Sequence, residues 1–317
     1  MIKDYGLIED RAPHLVADLC EIISFFENRE VSRSDIEGFL YEKGAKGLLD
    51  DLNLENLDSA SANAKFQKLS EDVFRHLTYR VKALADWYPF RVEGDILLPP
   101  EDPTDRHKVY AALVAFSRMK MFDQARMTEF AADFEVLCCE AAVAFAPNWR
   151  VLHFGVGGKD RHLFGNKLKD SLTQLAEQLR EDTNSKAIEK ISEQNTGDAG
   201  IDIIIFREWG DPAQSVPSYF GQCAAQQTGW PRKKFEASPL NLEKYFNFFH
   251  KPGTIMFIPV CYRGLDGQWL DYDGHQTVIV DRNRLLELLE ARIEAEKDEN
   301  AVLALVPKPF ELGCAAA

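Results

Sequence analysis

The chain has 317 residues, 45% of them hydrophobic, with 51 acidic against 37 basic side chains and a formal net charge of −14. That length and apolar content build one large folded domain or two ordinary ones and exclude a disordered chain. The longest apolar runs, such as 254–261, fall far short of the roughly 20 residues a membrane helix needs, and the net charge excludes a protein that grips nucleic acid over its whole surface.

The first residues hold acidic side chains and no apolar signal region, so a cytoplasmic protein with no membrane partner is expected. Cys20, Cys138, Cys139, Cys223, Cys261 and Cys314 have no metal-type spacing and read as buried reduced thiols.

From about residue 12 to 87, apolar residues recur at helical spacing: Leu15, Leu19, Ile22, Ile23, Phe25 and Phe26, then Ile36, Phe39 and Leu40. A polar connection at 53–59 precedes a long amphipathic stretch over 66–85. Residues 89–98 carry a turn signal at Glu93-Gly94-Asp95 and read as a hairpin; helical spacing resumes over 106–118. These elements give a helical N-terminal domain, 1–127, with a boundary near 119–127.

Beyond Thr128, a plausible N-cap, helices and strands alternate. The pattern predicts a helix over 128–145, a strand over 149–154, a turn at Gly155-Val156-Gly157-Gly158 and a helix over 163–180 with Leu168, Leu172, Leu175 and Leu179 on one stripe. Strands around Asp202 and Gln222, a helix over 240–249, a very apolar strand over 254–262 and a helix over 282–297 capped by Asp281 complete the second domain, 128–317. The succession specifies an α/β (α+β) core with helices flanking a mixed sheet. His153, His162 and His275 show no metal spacing and no partnered nucleophile. The Gly-x-Gly-Gly run lacks the Lys-Ser/Thr of a phosphate loop and reads as a turn.

The chemistry concentrates at 196–225. Asp202 opens an apolar strand, where a carboxylate is expensive unless hydrogen-bonded, paired or bound to a metal. Gln222 and Cys223 lie on the following strand, and Lys233 and Lys234 come just beyond it. An acidic ligand, an amide or backbone carbonyl ligand and a nearby ammonium suit Mg²⁺, which prefers oxygen and keeps several waters. Such a site hydrolyses phosphodiesters when the metal polarises the phosphoryl group and activates its water. Glu135, on the helix before, joins the site if it faces Asp202, and Glu140 competes for that place. The clusters around Lys159, Arg161, His162, Lys167 and Lys169 and around Arg232 to Lys234 are either local grips on phosphate or solvated surface.

With Glu135 on the first helix, Gly197-Asp198-Ala199-Gly200-Ile201-Asp202 at a strand start and Gln222 on the next strand, residues 128–262 resemble the PD-(D/E)xK nuclease superfamily. They are similar in particular to Mrr-like restriction endonucleases, with their Gly-Asp-Gly-Gly-Ile-Asp segment and following Gln-x-Lys. The resemblance implies a restriction-endonuclease-like domain preceded by an all-α domain. It implies that Asp202 is the principal metal ligand, Gln222 stands in place of the second acidic residue, and Glu135 assists the metal or its waters, with Mg²⁺ as cofactor and Mn²⁺ as substitute. Ala224 occupies the position of the motif lysine, so Lys233 or Lys234 has to supply the amine. The expected activity is a DNA endonuclease in a bacterial anti-phage defence complex, controlled by a sensor or ATPase subunit. A degenerate nuclease fold serving as a DNA-binding or protein-interaction scaffold is the alternative, and RNA as substrate stays open.

Overall fold

Pro13, whose fixed φ suits a first helical turn, opens α1 (Pro13–Phe26), and the apolar spacing read from the sequence buries Leu15, Leu19, Ile22 and Ile23. The computed structural model describes residues 13–38, 59–122, 126–225, 229–270 and 276–305. The connection expected at 53–58, Phe39, Leu40, His275 and Cys314 lie outside the described residues. After α1 come β1 (Val31–Ser32), α2 (Ser59–Leu84), β2 (Arg91–Glu93), β3 (Ile96–Leu98) and α3 (Asp105–Ser117). Thr104 caps α3 by accepting from the His107 N–H, and His107 Nδ1 accepts from the Thr104 N–H in return.

The expected hairpin is β2 and β3, turning at Gly94 with φ +59°. It is extended by β1, because the apolar pair Val31 and Leu97, both fully buried, meets across the antiparallel ladder. The first unit is therefore helical with a three-stranded sheet, and the all-α expectation is corrected on that point. A buried ion cluster occupies its centre. Arg80 Nη1 lies 2.7 Å from Asp18 Oδ1 and 2.6 Å from Glu21 Oε2, all three side chains at 0% exposure. Tyr88 and Tyr110 donate to Glu21, and Ser117 donates to Asp18, so both buried carboxylates are hydrogen-bonded as well as paired.

The chain divides into two compact units, one of Met1–Met127, Val260–Tyr272 and Lys308–Ala317, the other of Thr128–Pro259 and Asp273–Pro307. The second unit is thus not the continuous stretch 128–317. The segment that leaves it is bonded within the first unit, where His76 Nε2 donates to the Arg263 carbonyl at 2.9 Å, and is braced internally by the Arg263 guanidinium stacked over Trp269 at 4.1 Å.

In the second unit, α4 (Met127–Phe145) leads to β4 (Arg150–His153), α5 (Leu168–Leu179), β5 (Asp182–Thr183), β6 (Ile203–Phe206), β7 (Ser218–Cys223), β8 (Phe246–Asn247), β9 (Gly253–Phe257), β10 (Thr277–Val280) and α6 (Arg282–Glu296). α4 starts one residue before Thr128, which therefore lies inside the helix and does not cap it. The five-stranded sheet has the order β10-β9-β7-β6-β4. β4, β6 and β7 form an antiparallel meander, and β7, β9 and β10 run parallel. One face packs Ile204, Phe206 and Phe220 against Leu168, Leu172, Leu175 and Leu179 of α5. The other meets α4, where Phe145 and Tyr219 make an edge contact at 5.5 Å.

Three boundaries differ from expectation, the first being the strand predicted over 254–262, which is Gly253–Phe257. The helix predicted over 163–180 starts only at Leu168, because Gly165 takes φ +80° and interrupts it. The helix predicted over 240–249 is a single turn, Pro239–Leu242, after which β8 pairs with β5. There a tertiary ladder overrides local periodicity. Asp281 caps α6 as expected, accepting from the Arg284 N–H at 3.3 Å.

Candidate metal centre

Asp202 precedes β6, and its own N–H donates to Gly221 O at 2.9 Å, although Gly221 is already the ladder partner of Ile203. Two consecutive residues opposite one is the pattern of a β-bulge, which re-aims a side chain. Strict alternation would direct Asp202 with Ile204 and Phe206 into the α5 core. Instead its carboxylate turns to the α4 side. Asp202 O accepts from Phe154 N at 2.7 Å and Gly155 N at 3.0 Å, which fixes the backbone on the β4 side as well.

Glu135 arrives at the same place from α4. Its Oε2 and the Asp202 Oδ1 lie 3.1 and 3.5 Å from the point a Cβ on Gly155 would occupy. Two carboxylates therefore face one small space that a glycine keeps open. Asp202 Oδ2 accepts from the Cys223 N–H at 2.6 Å. Burial and the neighbouring Glu135 charge push the Asp202 carboxyl well above its usual range, with Cys223 N–H and Lys233 acting in the opposite direction. A second bare negative charge is thus disfavoured here, and a proton or a cation relieves it.

His153 completes the cluster. It pairs with Ile203 in the β4–β6 ladder, is 3% exposed, and brings Nε2 to 2.7 Å from Glu135 Oε2. Without metal spacing this histidine is inconspicuous in the sequence; the signal available is its alternation onto the α4 side of β4. Glu140, the rival to Glu135, is engaged elsewhere, 3.4 Å from Arg292 of α6.

Gln222 departs from expectation. Phe220 belongs to the α5-side core, so alternation directs Gln222 to that same side, where its Nε2 donates to Glu236 at 2.7 Å. Its Oε1 is buried without a hydrogen-bond partner. Cys223, one residue on, turns the other way, its thiol hydrogen-bonded to Cys138 of α4, and burial raises both thiols above the ordinary range. The Gln222 amide is thus directed away from the Glu135–Asp202 space, because the period of two puts 222 on the α5 side, whereas Cys223 lies on the α4 side, where the charges of Asp202 and Glu135 act on its thiol.

The two lysines also divide. Lys233 is half-buried and its charge acts on Asp202, whereas Lys234 is 6% exposed with its ammonium 5.2 Å over the Phe235 ring. In the first basic cluster, Arg161 is buried and spent on backbone, donating to Phe154 O and Gly197 O, and Lys169 is paired with Glu193. Lys159, His162 and Arg232 remain exposed. Asp198 serves the turn, accepting from Gly200 N at 2.8 Å.

Among the described residues no group of three or more His, Cys, Asp and Glu is arranged to hold a metal ion, and no helix is long and apolar enough to cross a membrane. Two oxygen donors facing an open point nevertheless fit Mg²⁺, which binds through one or two carboxylates and retains water. No family model, curated protein or solved structure matches the chain.

Proposed function

We propose that the second unit is a Mg²⁺-dependent nuclease of restriction-endonuclease-like type that hydrolyses phosphodiester bonds in DNA. The observation that carries the reading is the convergence of Glu135 Oε2 and Asp202 Oδ1 on the space over Gly155, with a bulge turning Asp202 toward it. The order of elements supports it too, since a helix, an antiparallel three-strand meander and a parallel fourth strand place the acidic strand next to the helix glutamate.

Glu135 and Asp202 would hold the ion; when bound, it supplies Lewis-acid polarisation of the phosphoryl oxygen and a more acidic water. Cys223 N–H orients the Asp202 carboxylate by holding Oδ2, leaving Oδ1 toward Glu135. Lys233 takes the part of the amine that Ala224 cannot provide, offsetting negative charge at the phosphate in the transition state. Lys159 and Arg232 give an otherwise acidic chain local cations for the phosphate backbone, with His162 exposed beside Lys159.

The proposal extends to biology: control by a partner subunit, of sensor or ATPase type, in bacterial anti-phage defence. A net charge of −14 disfavours unassisted DNA binding, which is what a nuclease restrained until activation requires. A second reading, a catalytically silent nuclease-fold scaffold, is favoured by Ala224 at the lysine position. Plasmid nicking with Mg²⁺ or Mn²⁺, by the protein alone and with the products of neighbouring genes, separates the two. Nicking lost in Asp202→Asn supports the nuclease, and no nicking under either condition leaves only the scaffold.

A further inference from the structure

We infer that His153 is a positioning residue that fixes the Glu135 carboxylate for the cation, and that the glycine turn after β4 closes against its ring. This rests on the carboxylate-pair reading above. Glu135 is on a helix and reaches the site through a flexible side chain, so its Oε2 needs a partner to hold it 3.1 Å from the point above Gly155. His153 Nε2, 2.7 Å away, donates that hydrogen bond.

The main chain that carries the ring is itself held. The His153 N–H donates to Asp160 Oδ2 at 2.9 Å, and Gly158 N donates to Gly155 O at 2.8 Å, closing the turn directly against it. A Cβ on Gly158 would overlap His153 O and lie 2.9 Å from His153 Cδ2. Only glycine lets the loop close there, and the closed loop lies against one edge of the imidazole. The run of glycines at 155–158 therefore has two jobs: Gly155 keeps the space over the carboxylates open, and Gly158 closes the loop against the group that orients one of them. Hydrogen-bond partners of metal-binding carboxylates contribute strongly to affinity, with losses typically of about 10–100-fold when they are removed.

The test uses the full chain and Mn²⁺ alone, with free Mn²⁺ followed by electron paramagnetic resonance. His153→Ala is expected to bind Mn²⁺ about 10–100-fold more weakly, and His153→Gln, whose amide can donate to the same oxygen, to recover most of that loss. A purely structural role would not be rescued in this way at unchanged melting temperature. Wild-type affinity in His153→Ala overturns the inference while leaving the carboxylate pair intact. No Mn²⁺ uptake by the wild type, or unchanged uptake in Glu135→Gln, removes the site reading and the inference with it. If His153→Ala does not fold, ¹⁵N-histidine spectra of the wild type decide: Mg²⁺ shifts the His153 ring signal if the inference holds and leaves it in place if it does not.

Discussion

The main-chain N–H of Cys223 holds one oxygen of Asp202 at 2.6 Å, while the other oxygen is turned toward Glu135. A buried carboxylate thus keeps one hydrogen-bonded edge and presents one free edge, as a ligand awaiting a cation does. Removing the charge at either end should therefore separate binding from folding. Asp202→Asn and Glu135→Gln are expected to reduce Mg²⁺-dependent nicking by at least ~100-fold while keeping the wild-type circular dichroism spectrum. Mg²⁺ should raise the melting temperature of the wild type and not of Asp202→Asn.

Gly155 offers a steric version of the same experiment. A methyl group there would sit 3.1 Å from Glu135 Oε2 and 3.5 Å from Asp202 Oδ1, in the space assigned to the ion. Gly155→Ala is expected to abolish Mn²⁺ binding with only a small change in urea midpoint. Unchanged binding would place the ion elsewhere.

Lys233 and Lys234, adjacent in sequence, are expected to fail differently. Lys233→Met should lower nicking without altering the melting temperature, because the side chain is half-buried and its charge acts at Asp202. Lys234→Met should alter stability first, since that side chain is 6% exposed and lies against Phe235. Parallel melting curves and plasmid assays on the two variants check this.

In the first unit, Arg80→Ala leaves Asp18 and Glu21 buried without their cation. Breaking a buried pair in this way costs about 3–5 kcal/mol, enough to show as a large drop in urea midpoint or loss of soluble protein.

His76 makes the same unit sensitive to acid. Burial first, then the Arg80 charge, pushes its imidazole down to about 3. The unfolded chain protonates it near pH 6.5, so between that value and about 3 the unfolded state holds more protons. Stability contributed by neutral His76 is then lost as pH falls, by up to about 1.4 kcal/mol per pH unit. Urea unfolding between pH 7 and 4 should show a shallower pH slope in His76→Gln than in the wild type.

Much of this molecule is decided by local chemistry. Leucines at helical spacing set α5, the Asp281 cap starts α6, and the Glu93-Gly94-Asp95 turn sets the hairpin, because each depends on neighbours a few residues away. Asp202 stood out by type alone: a carboxylate opening a strand of isoleucines needs a reason. The apolar run over 277–280, by contrast, is too short to stand out by itself, although β10 completes the sheet edge next to β9.

What sequence could not decide was direction. Whether Asp202 turns toward Glu135 depends on a bulge opposite Gly221, and whether Gln222 follows it depends on the phase of β7, set by Phe220 entering the α5 core. A strand's period of two makes each face a consequence of pairing and packing across the sheet. His153 joined the site for the same reason: its register with Ile203 and its hydrogen bond to Glu135 are relations between separate segments, which only the folded chain brings together.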